Sequence, residues 1–242
     1  MKLEIKNLFK EYEKIFGKDE KSHILSNSGY LNKYEELDYG FFPLGTGIFN
    51  LNIENKSKPI KISKNSIMIL GNDFGWLGYL NPLLKDKKEN KNAATIRNLR
   101  NLLFESKIEI EDCFCTNFYM GIRENGTNTE RVITPKREYK DLCYKFFLKQ
   151  LELLQPKLII CLGNDVRFAM LENSIRVDNW DPPGDGIIKI CSDKEKYRLL
   201  HKKVDVEKIG QFDFMLIPHP SHGPNLTPTI KENVTAILKA DV

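Results

Sequence analysis

Residues 66–75, which read SIMILGNDFG, decide the fold of this chain. A run of apolar residues leads directly into Gly71, and Gly75 follows after three further residues. A continuous apolar run ended by glycine is typical of a strand that is buried on both faces of a parallel sheet. The glycines allow the backbone to turn tightly at the carboxyl end of that strand. Because ligands bind at this edge of open α/β sheets, Asp73 in the turn is a candidate functional residue.

Later segments of the chain repeat this design of an apolar strand that ends in polar residues. Such strands are predicted at 112–120, 157–163 and 212–217. Helices with apolar residues at helical spacing are predicted at 93–105, 137–154, 164–171 and 228–239. Regular alternation of strand and helix predicts an α/β fold, a three-layer α/β/α sandwich with a central four-stranded parallel sheet.

The remaining segments follow the pattern less clearly. Residues 2–16 place apolar side chains at three- and four-residue spacing, which predicts an amphipathic helix. The apolar residues 187–190 predict a short edge strand. We expect a single domain over residues 1–242, in which residues 1–60 form an N-terminal extension and residues 61–242 form the core.

Composition excludes several classes of protein. Charged residues make up 29% of the chain and hydrophobic residues 41%, which is ordinary for a globular protein. The net charge of +4 is compatible with a polyanionic partner but too small to argue for one. No apolar run approaches the roughly 20 residues that a membrane helix needs, and the charged N-terminus lacks a signal-peptide core. We therefore expect a cytoplasmic protein that does not bind membranes.

The chain has five cysteines, an odd number that suggests reduced, buried thiols. Metal sites usually draw on pairs with Cys-x-x-Cys spacing. Cys113 and Cys115 are separated by a single residue, and no second pair follows. The spacing therefore argues against a metal or iron–sulfur centre, and we expect no metal.

The four predicted strand exits, meaning the residues at and just after the carboxyl end of each predicted strand, carry the polar side chains on which chemistry could depend. An acid, a carboxamide and a histidine at one sheet edge form a set suited to hydrolysis. The carboxylate can orient a water molecule, the amide can read the edge of a planar ring, and the histidine can donate to charge on a leaving group. In chain order the exits offer Asn72 and Asp73, Asn117, Asn164 and Asp165, and finally His219, Ser221 and His222.

The ordered motifs at these exits resemble those of the uracil-DNA glycosylase superfamily. Gly71-Asn72-Asp73-Phe74-Gly75 stands where that family has its first glycine-rich acidic motif. Asn117 in CTNFYMGIR matches the asparagine that ends its second strand, and residues 158–163 match the intervening strand and glycine. His219-Pro220-Ser221 matches its last motif, His-Pro-Ser. The resemblance covers residues 66–240, roughly the last three quarters of the chain.

This resemblance implies a uracil-DNA glycosylase-like fold and excision of a base that has been flipped out of the nucleic acid. By analogy, Asp73 would position the attacking water and stabilise the sugar cation. Asn117 would hydrogen-bond O4 and N3 of uracil, and His219 would hydrogen-bond O2 and favour departure of the uracil anion. No cofactor would be needed, because the base leaves as a delocalised anion.

The resemblance assigns binding roles to the neighbouring residues. Asn72 would join Asn117 in base binding, and the aromatic ring of Phe74 or Trp76 would stack on the base. The loop after the histidine would grip the flanking phosphates, through Ser221, His222 and Asn225.

The expected partner is DNA that contains uracil or other damage, single-stranded DNA included, and we expect the protein to be a monomer. Two other functions remain open. One is a protein with a glycosylase-like fold that binds DNA or a modified base without cutting it. The other is an enzyme that hydrolyses a small nucleoside. Asp73 favours an enzyme, because a pure binding protein has no use for an acid that positions water.

Overall fold

The computed structural model describes residues 2–16, 30–31, 61–73, 93–123, 136–172, 175, 186–192, 200–221 and 226–241. In this part of the chain the helices are α1 (Ile5–Phe16), α2 (Ala94–Glu105), α3 (Arg137–Leu154), α4 (Gly163–Glu172), α5 (Ile187–Ser192) and α6 (Pro228–Asp241). The strands are β1 (Lys2–Glu4), β2 (Tyr30–Leu31), β3 (Lys61–Ser63), β4 (Ile67–Gly71), β5 (Phe114–Asn117), β6 (Ile122–Arg123), β7 (Leu158–Leu162), β8 (Leu200–Val206) and β9 (Gly210–Ile217).

The central sheet confirms the predicted α/β class. Within the described residues it has five strands in the order β5-β4-β7-β9-β8. The four strands predicted from the sequence are β4, β5, β7 and β9, and they pair in parallel as neighbours. Every residue of β4 and β7 is buried, as expected for parallel strands covered on both faces.

Helices flank this sheet. The crossover from β4 to β5 moves to one side of β4, whereas the crossover from β5 to β7 moves back past β4 to the other side. Because nearly all crossovers between parallel strands are right-handed, crossovers in opposite directions are expected to place α2 and α3 on opposite faces of the sheet. Helix α1 packs against α3, and α6 packs against α2 and α5.

Aromatic contacts tie the N-terminal helix to the core. The ring centroids of Tyr12 and Phe146 lie 5.4 Å apart in an edge-to-face arrangement, and those of Phe16 and Tyr139 lie 6.3 Å apart. Aromatic pairs in such geometries stabilise a fold beyond the area that they bury. Residues 2–16, although outside the predicted core, therefore share the hydrophobic core of residues 61–242.

Three elements differ from the sequence prediction. Residues 187–190 were expected as an edge strand, but they lie in helix α5, which buries Ile187 and Cys191 one turn apart. The strand that pairs with β9 at the edge of the sheet is β8. The sequence analysis missed this strand because its sequence, LHKKVDV, carries the charged residues that are common on edge strands. At the N-terminus, Lys2–Glu4 pairs with Lys61–Ser63 as a strand before helix α1 begins.

One polar side chain in helix α3 lies in the core without a hydrogen bond. Gln150 is 0% exposed, and neither its Nε2 nor its Oε1 has a hydrogen-bond partner in the part of the chain that is described. A buried amide without a partner costs roughly 1–3 kcal/mol. Gln150 therefore reduces the stability of the fold.

We expect Gln150→Met, which keeps the length of the side chain and removes the amide, to raise the free energy of unfolding by about 1–2 kcal/mol. Urea denaturation would measure the change. Lys145→Met, at an exposed position of the same helix, is the control, with an expected effect within about 0.5 kcal/mol. A loss of stability in Gln150→Met beyond that of the control would contradict this interpretation.

Candidate functional site

The strand register aligns the polar exits along one edge of the sheet. Thr116, Leu70, Cys161 and Leu216 form one row across the four parallel strands. Three residues beyond this row, each chain reaches a polar side chain, and these are Tyr119, Asp73, Asn164 and His219. Neighbouring strands lie about 4.8 Å apart. The polar exits therefore belong to one face of the molecule, at the carboxyl edge where α/β proteins bind ligands.

Gly71 lets the side chain of Asn117 lie over the end of β4. The two residues are register partners, and a Cβ atom at position 71 would overlap Asn117 Oδ1. Asn117 is only 6% exposed. The absence of a side chain at Gly71 is thus what allows this carboxamide to lean from the edge strand towards the middle of the sheet.

Gly163 plays the same part for His219 at the end of β7. Its φ of +87° is in the left-handed region that favours glycine. A Cβ atom here would lie 3.0 Å from His219 Cβ. Glycines at the ends of the two middle strands therefore admit side chains from the strands on either side, an amide from β5 and an imidazole from β9.

Backbone hydrogen bonds hold the turn that carries Asn72 and Asp73. The N–H of Phe118 donates to the carbonyl of Gly71, and the N–H of Tyr119 donates to the carbonyl of Asn72, both at 2.8 Å. The exits of β4 and β5 thus continue side by side beyond the sheet. This pairing fixes Asn72 and Asp73 next to the strand end that supplies Asn117.

Among the described side chains at this edge, that of Asn72 is notable for its unsatisfied amide. Its Nδ2 and Oδ1 are both enclosed, and neither has a hydrogen-bond partner among the described residues. Buried polar groups in native proteins are nearly always paired, and an exception calls for an explanation. A bound ligand with one acceptor and one donor on a flat edge would satisfy this amide.

Asp73 lies close enough to Tyr119 to act on it electrostatically. Burial raises the pKa of the Tyr119 hydroxyl well above its usual value, and negative charge on the carboxylates of Glu172, Asp165 and Asp73 adds to the effect. One carboxylate oxygen of Asp73, Oδ2, is itself enclosed. Tyr119 was missed by the sequence analysis, although it lies two residues after Asn117, a spacing that returns a side chain to the same face of an extended chain.

His219 is oriented by the second residue after it. Its Nδ1 lies 2.7 Å from Ser221 Oγ and accepts a hydrogen bond from the backbone N–H of Ser221 at 3.3 Å. A nitrogen that accepts from an N–H carries no proton of its own, so the neutral ring has its proton on Nε2. The arrangement prepares Nε2–H as a hydrogen-bond donor. Ser221 thus contacts the histidine, and its role in phosphate binding stays a prediction.

Helix α4 supplies the third exit. Asn164 Oδ1 accepts a hydrogen bond of 3.2 Å from Nη1 of Arg167, whose side chain is buried at 4% exposure. Because guanidinium nitrogens only donate, this contact requires the amide oxygen of Asn164 to face Arg167. Asp165, the next residue, is exposed.

Four predicted site residues lie outside the described part of the chain: Phe74, Trp76, His222 and Asn225. Their roles in stacking and in phosphate binding therefore remain predictions. A further contact was not foreseen, since Asn98 of helix α2 donates through Nδ2 to the carbonyl of Pro220 at 2.7 Å.

The cysteines behave as the sequence analysis expected, as free and buried thiols. Burial raises the pKa of both Cys143 and Cys191 to about 12, and it also raises that of Cys161. These three thiols stay protonated near neutral pH. Among the described residues no group of three or more His, Cys, Asp or Glu side chains could hold a metal ion.

No helix in the described ranges is both long and apolar enough to span a membrane. A scan of the chain against protein-family models finds no match. A search of curated proteins finds no significant match either.

Proposed function

We propose that this protein is a DNA glycosylase of the uracil-DNA glycosylase type, which hydrolyses the N-glycosidic bond of uracil or a related deaminated base. The proposal includes a three-layer, glycosylase-like arrangement of the four parallel strands. The partner would be DNA, and the protein would act as a cytoplasmic monomer. The motif resemblance suggests this function, and the geometry of the sheet edge is consistent with it.

The observation that carries the proposal is the enclosed Asn72 carboxamide, which lacks a hydrogen-bond partner among the described residues. It directly follows Gly71, over which the Asn117 carboxamide lies. Two amides on neighbouring strand ends offer several donors and acceptors. Deaminated bases such as uracil present alternating carbonyl and N–H groups along one flat edge, which is the pattern that paired amides can read.

The reaction would use the groups on either side of these amides. A water molecule, oriented by the Asp73 carboxylate, attacks C1′ of the sugar as the bond from C1′ to the base nitrogen breaks. The bonding electrons leave with the base, and the proton of the water passes to the carboxylate. His219 would donate from Nε2 to the carbonyl oxygen on which negative charge develops, because its Nδ1 is already occupied by the N–H of Ser221.

A glycosylase assay on a panel of oligonucleotides tests the proposal. Single- and double-stranded substrates would each contain one uracil, hypoxanthine or xanthine, and a matched cytosine oligonucleotide, whose edge has a different pattern of donors and acceptors, is the control. We expect release of uracil from the single strand and none of cytosine. Binding to these oligonucleotides without release of any base would instead favour a protein that recognises the base without cutting it.

A further inference from the structure

The peptide bond between Pro220 and Ser221 is held at both of its polar ends. Its carbonyl accepts the 2.7 Å hydrogen bond from Asn98 Nδ2. Its N–H donates to Nδ1 of His219 at 3.3 Å. A carboxamide on helix α2 and an imidazole at the end of β9 are thus connected through a single peptide unit, although Asn98 and Pro220 are 122 residues apart in the chain.

The geometry of a trans peptide makes this connection directional. The described residues contain no cis peptide bonds, so the carbonyl and the N–H of this unit point in opposite directions. Once the carbonyl is directed at Asn98, the N–H must point the other way, and there it meets His219. The ring of Pro220 fixes φ at that residue. The torsions that could still turn the peptide are ψ of Pro220 and φ of Ser221, and the bond to Asn98 restrains both.

The direction of this N–H decides which nitrogen of the histidine carries the proton. While the N–H faces Nδ1, that nitrogen must accept, and the neutral ring is protonated on Nε2. If the peptide turned, Nδ1 would lose this N–H and would still lie beside the Ser221 hydroxyl, now 2.7 Å away. A hydroxyl can donate or accept, so it imposes no tautomer by itself.

We infer that Asn98 is a positioning residue that fixes the orientation and the tautomer of His219 through the Pro220–Ser221 peptide. Its own place is set by helix α2, where the adjacent Leu99 is buried in the core. Asn98 acts on the histidine and not on the substrate. The consequence for catalysis rests on the proposed glycosylase function, whereas the consequence for the tautomer does not.

Nitrogen NMR of histidine-labelled protein tests the inference, since the shifts of Nδ1 and Nε2 report the tautomer directly. In the unmodified protein, above the pH at which the ring is charged, we expect His219 to be a single Nε2–H species. Asn98→Leu, which is similar in shape but cannot donate, should give shifts that move towards an average of the two tautomers. Uracil release should also fall, on the order of tenfold.

The matched control is Asn101→Leu, which makes the same change at an exposed position of the same helix and should leave the shifts and the release unchanged. Urea denaturation of both variants would separate a general loss of stability from a local one. An unaltered Nε2–H spectrum in folded Asn98→Leu would overturn the inference. If Asn98→Leu alters the spectrum but the unmodified protein releases no base, the inference is supported and the proposed function is refuted.

Discussion

Asp73→Asn and His219→Ala should each slow the release of uracil by roughly 100-fold or more. Asparagine keeps the shape of the aspartate but carries no negative charge, so it can neither take a proton from the attacking water nor stabilise a positively charged sugar. Alanine at position 219 removes the Nε2–H donor that the contact with Ser221 prepares. Single-turnover measurements on a uracil oligonucleotide would report the chemical step without interference from product release.

The control for the first of these changes is Asp165→Asn, which makes the same exchange at an exposed acid of the neighbouring strand exit. It should leave the rate unchanged. Binding of the oligonucleotide should survive in Asp73→Asn, because the two carboxamides proposed to read the base are intact. Uracil release at the original rate in both Asp73→Asn and His219→Ala would refute the roles assigned here.

Gly71→Ala should strongly weaken recognition of the base while leaving the fold in place. The new methyl group would overlap Asn117 Oδ1, so the carboxamide must leave the position over β4. Losing an amide that pairs with a buried edge of a ligand costs about 2–3 kcal/mol, which is a loss of roughly 30- to 150-fold in kcat/KM. The measurement is kcat/KM for uracil release.

A double-mutant cycle sharpens this second test. If Gly71 matters only because it makes room for the Asn117 amide, then Asn117→Ala should cause a similar loss, and adding Gly71→Ala to it should cost little more. Gly186→Ala is the matched control, since a Cβ atom there meets nothing within 4 Å. Additive losses would show that Gly71 acts by another route than Asn117.

The elements of the fold that could be predicted from the sequence were those with a long and regular apolar pattern. The four parallel strands were predicted because burial on both faces makes them almost purely apolar, and β4 and β7 show this directly. Strand β8 was missed because one of its edges is unpaired in the described sheet, and an edge strand tolerates the charges that hide its pattern. The segment Ile187–Ser192 was misassigned because a short apolar run suits either a strand or a helix.

The residues of the candidate site likewise include some that local sequence patterns predict and others that they do not. Asp73, Asn117 and His219 could be proposed because each lies at the end of an apolar strand or within two residues of it, and the structure brings their strand ends to one edge. Asn98 could not be proposed, because it lies on the polar side of a helix pattern and gains its role from a contact with Pro220 far away in the chain. Tyr119 was passed over because aromatic residues after a strand usually indicate the core.

By itself the sequence determined which segments become buried strands and which polar residues stand at their ends. Both depend on local patterns of burial and on turn formers such as Gly71 and Gly163. Only the tertiary structure decided that β4 and β7 lie between β5 and β9 and that their glycines admit Asn117 and His219. Those outcomes depend on which distant segments pack together, and no local pattern of residues encodes that contact.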